Sequence, residues 1–354
     1  MRNFTKTKRI VIKVGTSTLT GDDGLIDIGY IDRLARQIAL MVNDNHQVML
    51  VSSGAIGMGA SALNIIGKVK NVKTRQACAA VGQGILMRQY QKSFARYGLN
   101  AGQILLTNTI LNNRKYYVNL KNAVETMLAM KVVPVVNEND CISVEEIDLA
   151  FGDNDKLSAL VASKIDAELL IILTDVDGLY DKNPKKSKDA RLIEVIHEIT
   201  DKIEAAAGDA GSALGTGGMK SKLAAIKIAA QGGCKVILAP GYEENVIDRI
   251  IAGENIGTLF MPKRRLSNRK RWILNSKSVG SISIDGGAIK ALQSSHSLLT
   301  VGITAIEGKF KKGDVVNIAD VAKGIARFDN DQLNELLKTK NKTIAVHIND
   351  LVLL

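Results

Sequence analysis

Two short clusters of acidic and amide residues are the part of this sequence best suited to chemistry. Residues 137–140 (NEND) follow the apolar run 132–136, and residues 152–155 (GDND) precede the helix-like stretch 156–162. Aspartate and asparagine disfavour the interiors of strands and helices but favour turns and helix N-caps. We therefore expect both clusters on loops beyond the carboxyl ends of strands, where open α/β sheets bind ligands. There they could converge on a polar substrate or a cation. The alternative is that Asp153 only caps a helix and that residues 137–140 only form a turn.

Two turns near the N-terminus could each bind an anion. Lys13 ends the strand-like run 10–14 and is followed directly by Gly15. Backbone N–H groups in a glycine turn can face phosphate oxygens, and a lysine there can neutralise them. Ser53 lies in a second turn, within residues 52–59, and its hydroxyl could help to hold a carboxylate. The alternatives are a charged strand boundary at Lys13 and tight packing of the small residues after Ser53.

A third anion signal lies in the second half of the chain. Residues 208–218 are rich in glycine and lead into a predicted helix with Lys220 and Lys222 in its first turn. Cations are disfavoured at a helix N-terminus, so a bound phosphate would resolve the conflict. The alternative is a flexible linker followed by two solvated lysines.

The order of the predicted elements indicates an α/β fold. Apolar strand-like runs alternate with helix-like stretches, which implies a mainly parallel open sheet with right-handed crossovers. The predicted strands are 10–14, 47–51, 103–106, 132–136, 168–174, 235–239 and 258–261, and the other predicted helices are 28–43, 74–97, 115–130, 223–231 and 244–252. Residues 263–271 (KRRLSNRKR) are a basic run suited to a linker or a surface helix. After residue 280, short strand-like pieces separated by turns such as 285–287 predict a small all-β barrel domain.

The net charge and the cysteines indicate which partners and which cellular compartment to expect. The formal net charge is +11, which favours anionic partners such as nucleotides, acidic metabolites or nucleic acid. The three cysteines, Cys78, Cys141 and Cys234, are far apart and form no CxxC pair. We therefore expect a reducing cytoplasm, with neither disulfides nor a zinc site. No apolar run reaches the ~18 residues of a membrane span, so we expect no membrane association.

Several motifs occur together in an order that is more specific than any one of them. They are Lys13 with residues 15–17 (GTS), residues 52–56 (SSGAI), residues 137–140, residues 152–159 (GDNDKLSA), Thr174 with Asp175, and residues 216–222 (TGGMKSK). Together they resemble the amino acid kinase family and, within it, the glutamate 5-kinase group, and residues 280–354 resemble a PUA domain. The resemblance implies an αβα sandwich around a mainly parallel sheet of roughly eight strands, followed by the small all-β PUA-like barrel. It divides the chain into a kinase domain (1–262), a basic linker (263–279) and a PUA-like domain (280–354).

The resemblance implies an activity and a set of site residues. The activity is ATP-dependent phosphorylation of the γ-carboxylate of L-glutamate to L-glutamyl 5-phosphate, the first step of proline biosynthesis. Lys13 and Lys222 would be catalytic and hold the transferring phosphoryl group, and Asp155 would hold both lysines in place. Besides the two lysines, ATP would contact Thr174, Asp175, Thr216, Gly217, Gly218, Met219, Lys220 and Ser221, and glutamate would contact Ser53, Asp140 and Asn154. Mg²⁺ would be carried by ATP and not by protein ligands. Ser221 stands where the family often has threonine, a change that keeps the hydroxyl.

The resemblance also implies partners beyond the substrates. Relatives are usually homo-oligomers, so we expect a dimer or a tetramer, with proline as feedback inhibitor and transient contact with glutamyl phosphate reductase. We expect at most weak RNA binding by the C-terminal domain, because residues 336–343 look shortened and the segment has few aromatic residues to stack on bases, Phe310 and Phe328. Two alternatives stay open: a kinase of another small carboxylate, such as aspartate or N-acetylglutamate, and an RNA-binding protein with a degenerate kinase domain.

The residue inventory fits a carboxylate nucleophile. The side chain of glutamate has a pKa of about 4.3 and is ionised near neutral pH, so its attack needs no general base. Accordingly, none of the four histidines, His46, His197, His296 and His347, lies in a candidate motif. The obstacle is repulsion between an anionic nucleophile and a triphosphate, which positioning and neutralisation by two lysines and a metal would overcome.

Overall fold

The computed structural model of the chain describes residues 2–21, 25–67, 69–107, 110, 113–142, 154–184, 187–201, 203–204, 218–262, 267–339 and 342–354. The chain forms two compact units, Met1–Arg265 and Leu266–Leu354. Within these described ranges, no helix has the length and apolar character needed to cross a membrane.

An eight-stranded sheet forms the centre of the first unit. Its strands are β1 (Arg9–Val14), β2 (Gln47–Ser52), β3 (Ala101–Leu106), β4 (Val133–Glu138), β5 (Leu169–Thr174), β6 (Val195–Ile196), β7 (Lys235–Pro240) and β8 (Thr258–Phe260). They lie in the order β3-β4-β2-β1-β5-β7-β8-β6. Neighbouring strands pair in parallel except β7 and β8, which are antiparallel. The predicted mainly parallel sheet is confirmed, and the polar residues that follow β1, β2, β4 and β5 share its carboxyl edge.

Helices cover both faces of this sheet, as expected for an αβα sandwich. They are α1 (Thr16–Leu19), α2 (Ile28–Asn43), α3 (Ala55–Ala62), α4 (Val72–Ala95), α5 (Arg114–Ala129), α6 (Asn154–Lys164), α7 (Met219–Gln231) and α8 (Val246–Ala252). Successive residues of a strand point to opposite faces. In β1, Ile10 and Ile12 pack in the core that includes α2, α4 and α8, whereas Val11 packs in the core that includes α5, α6 and α7. Lys13 shares the register of Val11 and therefore faces the layer of α6 and α7.

Small residues let α3 and α4 pack closely. A Cβ on Gly59 would lie 1.8 Å from the carbonyl oxygen of Cys78, and a Cβ on Gly82 would lie 1.8 Å from the carbonyl oxygen of Ala55. Neither position can accept a side chain without moving backbone, so only glycine fits there. Helix packing therefore explains Gly59, which the sequence also allowed to be part of an anion-binding turn.

The second unit is rich in β-structure, as predicted. Its strands are β9 (Gly280–Ile284), β10 (Leu298–Leu299), β11 (Ile303–Gly308), β12 (Val315–Ile318), β13 (Ala322–Ile325), β14 (Ile344–Val346) and β15 (Leu351–Leu353), with 3-10 helices at Thr300–Gly302 and Ile348–Asp350. Five strands form a sheet in the order β11-β9-β12-β13-β15, and β10 pairs with β14. The unit has its own apolar core, which includes Ile282, Val316 and Val346.

Three helices accompany these strands: α9 (Asn268–Asn275), α10 (Gly286–Gln293) and α11 (Asn330–Lys338). A surface helix was one of the two expectations for the basic run, where α9 begins, whereas α10 and α11 were not predicted. The turn predicted at residues 285–287 is instead the start of α10, because the Asp285 side chain accepts the backbone N–H of Ala288 at 2.7 Å. Aspartate favours turns and helix N-caps alike, so its type alone does not separate the two. Part of the basic run belongs to α9, whose Trp272 and Ile273 are buried.

Lys164, in the last turn of α6, is buried among apolar side chains. It is only 3% exposed, and Met49, Ile104 and Val161 line the cavity beside it. Its Nζ lies 5.0 Å from the ring centre of Tyr117 and has no hydrogen-bond partner within the described part of the chain. Burial lowers the pKa of Lys164 to about 8.

Replacing Lys164 with methionine is expected to stabilise the protein at neutral pH. The ordinary pKa of lysine is 10.5, so between pH 8 and that value the unfolded state holds more protons and stability rises with pH. Below about pH 8 both states are protonated, and the full burial cost, on the order of 3 kcal/mol, remains. Urea unfolding should therefore show a gain for Lys164→Met that is largest near pH 7 and shrinks as the pH approaches the ordinary lysine pKa.

Lys235→Met is the matched control, because the Lys235 amine also lies over an aromatic ring, that of Phe4 at 5.6 Å, but at a partly exposed position. Its replacement should not stabilise the protein at neutral pH. A stability gain for Lys164→Met that stays the same from pH 7 up to the ordinary lysine pKa would show that burial does not perturb Lys164.

Candidate active site

Lys13, Asp155 and Lys222 meet at the carboxyl edge of the first unit's sheet. The Asp155 carboxylate is fully buried, and each of its oxygens faces one amine. Oδ1 lies 2.5 Å from Lys13 Nζ, and Oδ2 lies 2.8 Å from Lys222 Nζ. We call this group the ion triad. Two ammonium groups and one carboxylate leave it with one net positive charge, so it is suited to an anionic ligand.

Three different elements position the ion triad. Lys13 is near the end of β1, on the face covered by α6 and α7, and Asp155 and Lys222 lie in the first turns of those two helices. A Cβ on Gly15 would lie 3.0 Å from Lys13 Nζ. Glycine at that position therefore leaves room for the lysine amine to bend toward Asp155.

The start of α7 concentrates positive charge. Gly218 caps this helix and, as a glycine, has no side chain to accept the first backbone N–H groups. Lys220 and Lys222 both lie in the first turn, and Lys220 is exposed. Asp155 supplies a counter-charge to Lys222, which partly resolves the conflict with the helix dipole that was noted from the sequence. Ser221 Oγ donates to the Gly218 carbonyl oxygen at 2.8 Å.

Thr174 and Asp175 lie at the same edge, because β5 is the direct neighbour of β1. The Thr174 hydroxyl donates to Asp175 Oδ1 at 3.0 Å, and the Thr174 carbonyl oxygen accepts the Gly241 N–H at 2.7 Å. Thr174 is buried and Asp175 is exposed, so the Asp175 side chain is the more accessible of the two. The half-buried Met219 opens α7. Four residues of the predicted motifs lie outside the described residues: Gly152, Asp153, Thr216 and Gly217.

Asn154 connects the turn after β2 with the end of β4. Its Nδ2 lies 2.9 Å from Ser53 Oγ, 3.0 Å from the Ser52 carbonyl oxygen and 2.9 Å from Asn137 Oδ1. Ser53 and Asn154, both predicted to bind glutamate, are therefore in direct contact. Because Asp155 is the next residue along α6, this polar group adjoins the ion triad.

Asp140 lies two residues beyond the end of β4. The Asn139 N–H donates to the Leu106 carbonyl oxygen at 2.8 Å, which holds this loop beside β3. Burial raises the pKa of the Asp140 carboxyl, and the charge of Arg75 opposes the rise. The structure thus places all three predicted glutamate residues around the carboxyl ends of β2 and β4.

A hydrogen-bonded cluster around Asp177 was not identified from the sequence. The Tyr180 hydroxyl donates to Asp177 Oδ2 at 2.7 Å, and the Tyr242 hydroxyl donates to Asp177 Oδ1. The bond to Asp177 raises the pKa of Tyr242 to about 12. Asp177 and Tyr180 follow β5 whereas Tyr242 follows β7, so the cluster joins two adjacent loops. Asp177 and Tyr242 are 65 positions apart in sequence, and no local pattern relates them.

The chemistry available at this edge is charge stabilisation. No group of three or more His, Cys, Asp or Glu side chains suited to a metal ion occurs in the part of the chain that the structure describes. Both Asp155 oxygens face lysine amines, so Asp155 is not placed to ligate a metal. The ion triad can neutralise a phosphoryl group, while Ser53, Asn154 and Asp140 can bind a small polar molecule beside it.

Both parts of the chain match known protein families. Residues 8–240 match the amino acid kinase family, and residues 280–348 match the PUA domain. A glutamate 5-kinase of Methanosarcina acetivorans is 45% identical over 346 residues, which cover 95% of this chain and 90% of that protein. A glutamate 5-kinase of Moorella thermoacetica is 42% identical over 370 residues, which cover 99% of this chain and 97% of that protein. The structure of carbamate kinase from Giardia lamblia bound to AMP-PNP matches 73% of this chain and 100% of that chain, with a TM-score of 0.52 and 18% sequence identity. At this identity the similarity shows a shared fold alone.

Proposed function

The chain belongs to the amino acid kinase family and, within it, to the glutamate 5-kinases, and from that premise we propose how its site works. It transfers the γ-phosphoryl group of ATP to the γ-carboxylate of L-glutamate and forms L-glutamyl 5-phosphate, the first step of proline biosynthesis. The observation that supports this mechanism most strongly is the ion triad, in which one buried carboxylate holds two lysine amines from opposite sides.

The transfer is a single displacement at phosphorus. An oxygen of the γ-carboxylate attacks the γ-phosphorus, the bond to the oxygen that bridges the β- and γ-phosphates breaks, and ADP leaves with that electron pair. The nucleophile is already ionised near neutral pH, so no side chain needs to remove a proton. What the protein must supply is alignment and positive charge around the phosphoryl oxygens.

Lys13 and Lys222 supply this positive charge, and Asp155 positions them. Their amines donate hydrogen bonds to oxygens of the transferring group as its negative charge shifts during the reaction. Asp155 does not touch the substrate in this scheme. Because its two oxygens bind the two amines separately, it keeps them a fixed distance apart before ATP arrives, so little reorganisation is needed in the transition state.

ATP is proposed to lie over the ends of β5 and β7 and the start of α7. Thr174, Asp175 and residues 216–222 are its proposed contacts, and the Thr174 hydroxyl also donates to Asp175 Oδ1. The donor set at the ion triad does not suit a protein-bound Mg²⁺, because both Asp155 oxygens face amines. Mg²⁺ would instead be held by phosphate oxygens of ATP, and it would supply further charge neutralisation there.

Glutamate is proposed to bind Ser53, Asn154 and Asp140, with the α-ammonium near Asp140. Replacing Asp140 with alanine should mainly raise the KM for L-glutamate, because the contact exists in ground and transition states alike. Since burial raises the pKa of Asp140, the wild-type KM should also begin to rise, as pH falls, at a higher pH than for an ordinary aspartate. Initial rates at varied glutamate and ATP concentrations test both points. An unchanged glutamate KM with a raised ATP KM would reverse the assignment of the two halves of the site.

The activity is tested by coupling ADP release to a spectrophotometric assay and trapping the acyl phosphate with hydroxylamine. L-Glutamate should be turned over, whereas L-aspartate and N-acetyl-L-glutamate should not. Turnover of either of these two in preference to L-glutamate would assign the chain to another carboxylate kinase. Failure with all three would contradict the proposed function.

We also propose the assembly and regulation that accompany this activity. The enzyme would be a cytoplasmic homo-oligomer, a dimer or a tetramer, inhibited by proline and in transient contact with glutamyl phosphate reductase. The proposed domain limits are 1–262, 263–279 and 280–354, with RNA binding by the last domain at most weak. Light scattering during size-exclusion chromatography measures the oligomer, and the same coupled assay with added proline measures the inhibition.

A further inference from the structure

Three buried side-chain amides form a chain along the carboxyl ends of β3, β4 and β2. Gln83 on α4 is 7% exposed, Asn137 on β4 is 3% exposed and Asn154 on α6 is 9% exposed. Asn137 Nδ2 donates to Gln83 Oε1 at 2.9 Å, and Asn154 Nδ2 donates to Asn137 Oδ1 at 2.9 Å. Gln83 Nε2 in turn lies 3.4 Å from Oε1 of Gln103 on β3. We call Gln83, Asn137 and Asn154 the amide chain.

Backbone groups fix the direction of every amide in this chain. The Glu138 N–H, which can only donate, lies 2.9 Å from Asn137 Oδ1. The Ser52 carbonyl oxygen, which can only accept, lies 3.0 Å from Asn154 Nδ2. These two contacts determine which end of each asparagine is oxygen and which is nitrogen. Asn137 must then present its nitrogen to Gln83, and the oxygen of Gln83 must face Asn137.

The same contacts limit what Asn154 can offer to a ligand. An amide nitrogen has two hydrogens, and Asn154 Nδ2 already faces three acceptors: the Ser52 carbonyl oxygen, Ser53 Oγ and Asn137 Oδ1. The nitrogen therefore has no hydrogen left for a substrate, so Asn154 can serve a substrate only as an acceptor, through Oδ1. At neutral pH both carboxylates of glutamate are acceptors as well, and the α-ammonium is the one donor on that molecule.

We propose that Gln83 is a positioning residue for the amino acid substrate. Through Asn137 it holds Asn154 with Oδ1 turned to the site, where that oxygen accepts a hydrogen bond from the substrate α-ammonium. The inference rests on the proposed function, since it takes glutamate as the ligand. Gln83 itself lies in the middle of α4, in an alanine- and glutamine-rich stretch, and its sequence context gave no sign of a role.

The test compares Gln83→Leu with Gln83→Glu. Leucine removes the acceptor for Asn137 Nδ2 and leaves a buried amide unpaired, so the KM for L-glutamate should rise about tenfold, with kcat and the KM for ATP within about threefold. The Gln83→Glu variant keeps an acceptor oxygen for Asn137, so its KM for L-glutamate should lie within about threefold of wild type. Gln89→Leu is the control: Gln89 is on the same helix and is bonded elsewhere, to Ser93 at 3.2 Å, and it should change none of these constants.

Glutarate, which lacks the α-ammonium, separates positioning from a general structural effect. Its inhibition constant against L-glutamate should be the same in wild type and Gln83→Leu to within about twofold, because it has no donor for Asn154. Three results would overturn the proposal. The first is an unchanged KM for L-glutamate in Gln83→Leu, and the second is an equal weakening of L-glutamate and glutarate binding in that variant. The third is a KM for L-glutamate in Gln83→Glu that is raised as much as in Gln83→Leu. A wild-type enzyme without activity on L-glutamate would instead contradict the proposed function.

Discussion

Alanine in place of Lys222 or Lys13 is expected to lower kcat by ~10²-fold or more, the usual effect of removing one preorganised donor from a developing charge. Each amine is held by its own oxygen of Asp155, so neither lysine can move to replace the other without leaving that oxygen unpaired. The loss should be mainly in kcat, because the interaction is strongest when charge shifts between the phosphates. Steady-state rates at saturating ATP and L-glutamate measure it.

Lys227→Ala is the matched control for Lys222→Ala. Lys227 is on the same helix, one turn further along, and forms an ion pair with Glu204 while remaining partly exposed. Its replacement should leave kcat near the wild-type value, which would show that removing a lysine from α7 is not harmful in itself. If Lys222→Ala or Lys13→Ala kept near-normal kcat, the role assigned to that lysine would be wrong.

Replacing Asp155 with alanine is expected to impair stability and activity together. Two ammonium groups would remain at a largely buried position, where the Lys13 and Lys222 side chains are only 4% and 11% exposed. Removing one partner of a buried ion pair costs about 3–5 kcal/mol, since the other charge is left uncompensated. Urea unfolding should therefore show a large drop in the free energy of unfolding, and kcat should fall at least as far as in either lysine variant.

A double variant shows whether this cost arises from uncompensated charge. Adding Lys13→Met to Asp155→Ala removes one of the two ammonium groups and should recover part of the lost stability, whereas independent sites would give additive losses. Asp189→Ala removes an aspartate from an exposed ion pair with Lys182 and should leave stability unchanged. Additive losses in the double variant would mean that Asp155 stabilises the fold in some way other than by pairing with Lys13.

The positions of Lys13 and Asp155 within their own strand and helix could be predicted from the sequence. The strand-like run before Gly15 places Lys13 at a carboxyl edge, and the two-residue period of a strand places it on the same face as Val11. The acidic residues before α6 predicted a helix start, and Asp155 does lie in its first turn. These are local rules, so they apply without knowledge of the tertiary structure.

The convergence of Lys13, Asp155 and Lys222 could not be derived from local patterns. Asp155 and Lys222 are 67 positions apart, and only the resemblance to a family suggested that they meet. The amide chain had even less signal, because Gln83 lies in an alanine-rich helix and pairs across 54 positions with Asn137. Such contacts depend on how strands are ordered in the sheet, and strand order is not encoded in the pattern of any single segment.

In the second unit, local sequence patterns did not predict the helix α10. Asp285 suits a turn and a helix N-cap equally well, and the following glycines favoured the turn. The apolar residues of α10 decide the matter by packing on the unit's core, where Leu292 is buried. Burial of a face is a tertiary effect that local propensity underestimates.

A crystal structure with a non-hydrolysable ATP analogue and L-glutamate tests the shared role of the two lysines most directly. The predicted result is that Lys13 Nζ and Lys222 Nζ both lie within about 3.2 Å of oxygens of the same γ-phosphate, with Asp155 still between them and the γ-carboxylate in line with the bond to be broken. An ordered complex in which either amine points away from that phosphate, beyond hydrogen-bonding reach, would contradict it.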